Sequence, residues 1–369
     1  MASGDEVFTT NYNNLTELQF TTDITERSSY KRPFNENGII FTATVFFPLA
    51  IFGVLANLLT FLVIYNSPKL RSTFNFFIMS LCVSDFLSSF ISLLFVYRRT
   101  WGFEEWTISD FLCKFYWAVD TGTSVSTSLH IIMFSLLRFV SVSFPHKYNR
   151  IKFFETKIII VMIWIISAGG GAIPWSIWTG AVKIDRNVVS TVSSWPSCTV
   201  LLQWINQFKS YTVYGYIVFY YVPFALVLIM SVLVTVSLHY KRKYRLKGKA
   251  TDYHKKDIAE IMRRRKENQA IVQLFLIVGS FFIGYIPRTG FHVFSLLVQQ
   301  KTYEDKALHW WLGVGEYLCL RVSECLNPIF YNLASSKMRK ETTNYLKRMC
   351  RVRTGGVQPT TASDISTFN

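Results

Sequence analysis

Charge is scarce in this chain, and acidic charge is scarcer. Only 17% of its 369 residues are charged, against about 25% in soluble domains. Asp and Glu total 23 against 39 Lys and Arg. Cysteine is sparse too: six residues do not make a disulfide scaffold. Of six histidines, only His130 falls well inside an apolar segment and His292 near the end of another, so no histidine metal site is formed. An intramembrane enzyme needs paired catalytic groups at one depth, and none is visible. No internal repeat stands out, which disfavours inverted-repeat transporters. Residues 1–38 are polar and lack the apolar core of a cleavable leader, so the first apolar segment has to act as the insertion signal.

What the chain has instead is apolar length. Half of it is hydrophobic, 17% is aromatic, and the mean hydropathy is +0.26. The apolar residues fall into seven blocks, at about 39–65, 74–98, 111–142, 157–179, 211–238, 268–297 and 308–333. Each is long enough to cross a bilayer as a helix. The expected fold is an all-α membrane protein, a seven-transmembrane helix bundle. The net charge of +16 does not indicate nucleic acid, because of where it sits. Lys and Arg crowd the stretch between His239 and Glu267 and recur from Lys337 to Arg353. Short basic loops stay in the cytoplasm. Both clusters can do so only if the N-terminus is extracellular and the C-terminus cytoplasmic, in a multi-pass plasma-membrane protein.

The organisation that follows is an extracellular tail over 1–38, a membrane domain over 39–333, an amphipathic membrane-surface helix over 334–350 and a disordered cytoplasmic tail over 351–369. In the surface helix Met338, Tyr345, Leu346 and Met349 share one face, with Lys and Arg opposite, which suits an inner-leaflet position. Cys350 could be acylated as a second anchor, or stay a free thiol. Asn14-Leu15-Thr16 is a glycosylation sequon on the side expected to be outside.

The most telling stretch is Asn327-Pro328-Ile329-Phe330-Tyr331. A proline inside a membrane helix removes a backbone hydrogen bond that lipid cannot replace. Each other block carries its own landmark: Asn57 in the first, Asp85 in the second, Arg138 in the third with Pro145 and Tyr148 after it, Trp164 and Pro174 in the fourth, Pro223 in the fifth, Phe281 and Pro287 in the sixth. Cys113 opens the third, with Trp106 seven residues earlier. In this order and spacing the chain resembles the rhodopsin-like (class A) G-protein-coupled receptors over residues 39–350.

The resemblance implies a set of roles. Cys113 and Cys198 would form a disulfide pinning the loop before the fifth helix over the ligand mouth. Asp85, a carboxylate in mid-membrane, would sit with Asn57, Thr127, Ser323 and Asn327 in a polar network that holds either a sodium ion or waters alone. Arg138 would hold the resting state and later meet a heterotrimeric G protein, with Pro145 and Tyr148 on the same surface. Phe281, Pro287, Pro328 and Tyr331 would form the moving switch. Departures are plain: Leu137 stands where an acid precedes the arginine, Phe139 where a tyrosine follows it, Ser231 where a tyrosine supports the active state, and Tyr285 replaces the toggle tryptophan. Glu267 is left as the inter-helix partner for Arg138.

The ligand site reads less simply. Asp120 lies seven residues after Cys113, about 10 Å deeper along a helix, where amine receptors keep an aspartate for the ligand ammonium. Arg288 follows Pro287, and Arg321 lies opposite Asp120 on the seventh helix, where opsins keep the retinal lysine. Arginine stays protonated, so covalent retinal is not expected. Two opposite charges facing each other in a bundle should pair, so an Asp120–Arg321 ion pair is expected. Tyr116, Tyr216, Tyr285, Glu316 and Tyr317 are the other candidate ligand contacts. The expected function is a receptor, not an enzyme, for a peptide or a zwitterionic or anionic small molecule. It would signal through a heterotrimeric G protein, with receptor kinase and arrestin acting on Thr360, Thr361, Ser363, Ser366 and Thr367. The alternatives are an amine receptor using Asp120 and, in another class, a transporter or channel.

Overall fold

The computed structural model describes residues 32–182, 196–247, 256–298 and 301–353; side chains over 244–247, 256–267 and 351–353, and at Arg242, Ala270 and Gln273, are not described. The Asn14 sequon, the phosphorylatable tail and the Glu267 side chain lie outside this set. Seven long helices follow in order: α1 (Glu36–Asn66), α2 (Thr73–Arg99), α3 (Asp110–Ser143), α4 (Phe153–Trp178), α5, α6 (Lys256–Leu297) and α7 (Tyr303–Ala334). The fifth begins as Ile205–Ser210, widens through π-type turns at Tyr211–Gly215 and Ile217–Tyr221, and continues as Val222–Lys247. α8 (Ser336–Arg353) follows the last span after a break at Ser335. This is a seven-helix membrane bundle with a short amphipathic helix behind it.

The starts of the helices are written in polar side chains that accept otherwise orphaned N–H groups. Asn35 caps α1 through the Gly38 N–H at 3.0 Å, and Ser72 caps α2 through the Asn75 N–H at 3.2 Å. Thr302 and Asp305 cap α7 reciprocally, at 3.1 and 2.9 Å. α1 begins at Glu36, inside the stretch expected to be tail.

Which faces are buried tells where lipid lies. α1 and α4 each bury only 22% of their most apolar window. Ile51, Leu55, Ile158, Val161 and Ile165 stand exposed on them, as a lipid-facing rim requires. α3 is the hub, in contact with α2, α4, α5 and α6. Among the described residues, six helices are long and apolar enough to cross a membrane. α7 is the exception, because buried Glu316, Arg321, Glu324 and Asn327 interrupt it. Its polar side chains are paid for inside the bundle.

The end of the bundle marked by Cys113 is covered by a two-stranded hairpin, β1 (Thr179–Ala181) with β2 (Cys198–Val200), antiparallel. The Cys113–Cys198 disulfide, with Cα atoms 5.7 Å apart, ties β2 to the start of α3. At the opposite end, Glu341 of α8 accepts from Ser67 at 2.8 Å and lies 3.9 Å from Lys69, which fixes α8 to the turn after α1. Met338 is buried there, while Leu346, Met349 and Cys350 are exposed.

Candidate functional site

Beneath the hairpin the bundle narrows to a cavity of about 40 Å³, lined by Asp120, Tyr116, Arg288, Glu316 and Tyr317 among others. That is room for a few waters rather than for a drug-sized molecule, which needs a few hundred Å³. Arg98 and Arg99, from the last turn of α2, also line it. The floor is an ion-pair network buried on all sides. Asp120 Oδ2 accepts from Arg288 Nη2 of α6 at 2.7 Å. Its other oxygen accepts from Arg321 Nη2 of α7. Arg321 also donates to Tyr317 Oη at 2.8 Å and to Glu324 Oε2 at 2.5 Å. Glu324 in turn accepts from Ser88 of α2. Six side chains thus join α6, α3, α7 and α2 in one network of charge-assisted bonds. The guanidinium of Arg321 lies 4.3 Å from the Tyr317 ring centre, and that ring stacks on Phe95 at 3.6 Å.

The expected Asp120–Arg321 pair is therefore present, and Arg288 shares the same carboxylate. Three expected ligand contacts do not line the cavity. Arg321 lies below it, consumed by its partners. Tyr216 is buried behind it, with its ring 4.9 Å from that of His292. Tyr285 is deeper still, 4.6 Å from Phe281 and 5.6 Å from Tyr220 by ring centres. Its phenol donates to the Ser124 carbonyl at 3.2 Å, the partner a buried tyrosine requires.

The second polar cluster differs from expectation in two members. Asn327 donates to Asp85 at 2.8 Å and Thr127 approaches it at 3.4 Å. Ser323 turns away: its hydroxyl donates to the Ser280 carbonyl at 2.7 Å, and Ser280 donates back to the Ser323 carbonyl at 2.9 Å. The reason is Gly284, where a Cβ would come 2.8 Å from Cβ of Ser323. Without that Cβ, α6 comes close enough to α7 for the two serines to satisfy each other. Asn57 also turns away, donating to its own helix at Gly53 O, 3.0 Å, and its Oδ1 meets no protein donor. Of the expected oxygen donors only Thr127 stays on Asp85, since Asn327 presents its N–H there; Asp85 and Thr127 are the residues that would hold a hard cation.

At the far end, the Arg138 guanidinium packs 4.0 Å over the Phe74 ring. Leu137, at the position before the arginine, is buried in the apolar core. Ser231 donates to Val227 O within its own helix at 2.7 Å. Pro145 opens a short helix ending at Tyr148; burial raises the phenol's pKa, with the charge of Arg138 acting in the opposite sense. Tyr331 is fully buried near the C-terminal end of α7, three residues after Pro328.

A helix bundle with a proline inside its seventh helix, a charged interior and a disulfide-tethered loop over its mouth defines a membrane receptor of the seven-helix class. The profile of the 7 transmembrane receptor (rhodopsin family) matches residues 56–331, and the chain belongs to that family. Among its relatives are the mouse growth hormone secretagogue receptor type 1, 24% identical over 79% of this chain and 76% of the relative, and the QRFP-like peptide receptor of Branchiostoma floridae, 23% identical over 88% and 82%. The rat alpha-1A adrenergic receptor is 23% identical over 86% and 70%. The chain is thus a multi-pass membrane receptor and not an enzyme.

Four residues of the site escape a reading of the sequence: Ser88, Arg98, Arg99 and Glu324. Glu324 carried a signal, since a carboxylate three residues from Arg321 lies on the same helix face. Arg98 and Arg99 look like interfacial charges at the end of a span and turn inward.

Proposed function

We propose that this chain is a plasma-membrane receptor that takes an extracellular ligand at the disulfide end and activates a heterotrimeric G protein at the Arg138 end. The N-terminus is then extracellular, and α8 and the tail cytoplasmic. The observation that carries the reading is the Arg288–Asp120–Arg321–Glu324 network. It closes the cavity floor and reaches the helix that bears Asn327, Pro328 and Tyr331. A ligand that competes for any member changes how α3, α6 and α7 are held, and Arg138 lies at the far end of that movement.

A peptide, or a zwitterionic or anionic small molecule, fits better than a simple amine. Both oxygens of Asp120 are already taken by arginines, so an ammonium would have to displace two guanidinium groups. The narrow cavity suits a ligand that inserts only its tip, and one relative is named as a peptide receptor. The amine reading has one support, the adrenergic relative. Sodium at Asp85, glycosylation at Asn14, acylation at Cys350 and arrestin or kinase action on the tail belong to the same proposal. The test is a G-protein dissociation assay in cells. Basal or ligand-driven signal lost in Arg138→Ala at normal surface expression is the expected result; signal that persists overturns the reading.

A further inference from the structure

The cavity holds one guanidinium, lying 5.8 Å over the Phe95 ring, and one carboxylate whose hydrogen-bonding atoms are left partly unmet among the described residues. Arg99 is 3% exposed, yet its Nε and Nη1 make no hydrogen bond among the described residues. Glu316 is 7% exposed, and its Oε2 likewise meets no donor. No ion pair joins the two among the described residues, although both line the same cavity. Buried ionic groups are ordinarily paired, because an unpaired buried charge is costly. Their neighbours show the contrast. Arg98 donates to Cys198 O at 2.7 Å and lies 4.5 Å over the Trp117 ring, while Arg288 and Asp120 hold each other.

Arg99 is also fixed in place. A Cβ at Gly313 would strike its guanidinium, so α7 carries glycine where that group lies. Trp310 donates to the Arg99 carbonyl at 3.0 Å, which locks the end of α2 against α7. The donor is therefore preorganised, and little side-chain entropy is lost when it meets a ligand.

We infer that Arg99 and Glu316 form the recognition pair for a carboxylate with an adjacent N–H donor, as at the free C-terminus of a peptide. Arg99 takes the carboxylate and Glu316 accepts the N–H of the same terminal residue. Arg98 and Arg288 add positive charge, so the cavity wall carries three guanidinium groups against the carboxylates of Asp120 and Glu316. A terminal residue is the part of a peptide that can enter so narrow a space while the rest lies on the hairpin. This rests on the receptor reading above and names the ligand chemistry at its site.

The test uses the full chain in detergent and a matched pair of small probes, N-acetylglycine and its carboxamide. The two share shape and N–H and differ in the carboxylate. At millimolar concentration the acid should raise the apparent Tm by about 2–3 °C, and the amide should not. The shift should disappear in Arg99→Gln and persist in Lys147→Gln, a control at the opposite end. Equal shifts for acid and amide, no shift with either, or a shift that survives in Arg99→Gln overturns the inference. The probe comparison in the unaltered protein stands even if Arg99→Gln does not fold. A chain that fails here but loses G-protein signal in Arg138→Ala refutes the carboxylate site and leaves the receptor reading intact.

Discussion

Arg288 reaches across from α6 to Asp120 on α3 at 2.7 Å, and it occupies the carboxylate oxygen that Arg321 leaves open. One acid thus neutralises parts of two arginines, and removing it exposes both.

Asp120→Asn keeps the shape and deletes the charge. Breaking a buried pair by removing one partner costs about 3–5 kcal/mol, so this variant should show a clear fall in apparent Tm and in surface expression. Asp120→Ala combined with Arg288→Ala should recover part of the loss, with a coupling energy above about 1 kcal/mol in a double-mutant cycle. Strict additivity of the two single losses would remove the ion pair from the account.

Gly284→Ala places a methyl 2.8 Å from Cβ of Ser323. α6 and α7 must separate, at a cost of about 1–3 kcal/mol, and the reciprocal Ser280–Ser323 bonds lengthen. The expected outcome is a less stable receptor with altered basal G-protein signal. Ser323→Ala, which keeps the spacing, should cost only about 1 kcal/mol. Thermal melts and a basal signalling assay separate the two.

Tyr285→Phe removes the donor to Ser124 O and retains the ring against Phe281 and Tyr220. It should lower stability by about 1 kcal/mol while leaving ligand-driven signal largely in place. Tyr285→Ala opens a cavity as well and should cost about 3–5 kcal/mol. If the two variants melt alike, the ring contributes less than its burial implies.

Sodium offers a separate check on the Asp85 cluster. Sodium chloride should raise the apparent Tm above that in choline chloride at equal ionic strength, and Asp85→Asn should abolish the difference. Identical melts in the two salts would mean that the cluster is a hydrated network only.

The helices and their order were legible because each apolar block carries its own punctuation, with Pro287 and Pro328 inside the sixth and seventh spans. The Asp120–Arg321 pair was legible because the resemblance sets Arg321 on the seventh helix opposite Asp120 on the third, and opposite charges facing each other inside a bundle should pair. What escaped was geometry set by small residues and by helix rotation. Ser323 was expected beside Asp85, and Gly284 sends it to Ser280 instead. Arg98 and Arg99 gave no sign of facing inward, because a charge at the end of a span is equally at home at the lipid surface. Asn57 matches the family position and bonds to its own helix.

The polarity of α7 has a consequence for how the chain enters the membrane at all. A charged residue at the centre of a span costs about 2.5–3.5 kcal/mol on insertion, and α7 carries Glu316, Arg321 and Glu324 within three turns. Such a segment gains little by leaving the translocation channel by itself. Arg321 meets Glu324 on its own helix and Asp120 on α3, which is synthesised earlier and can wait beside it. Assembly of the ligand site and admission of the last span to lipid are therefore a single event. A defect at Asp120 is met first by the cell's membrane-insertion machinery and only afterwards by any ligand.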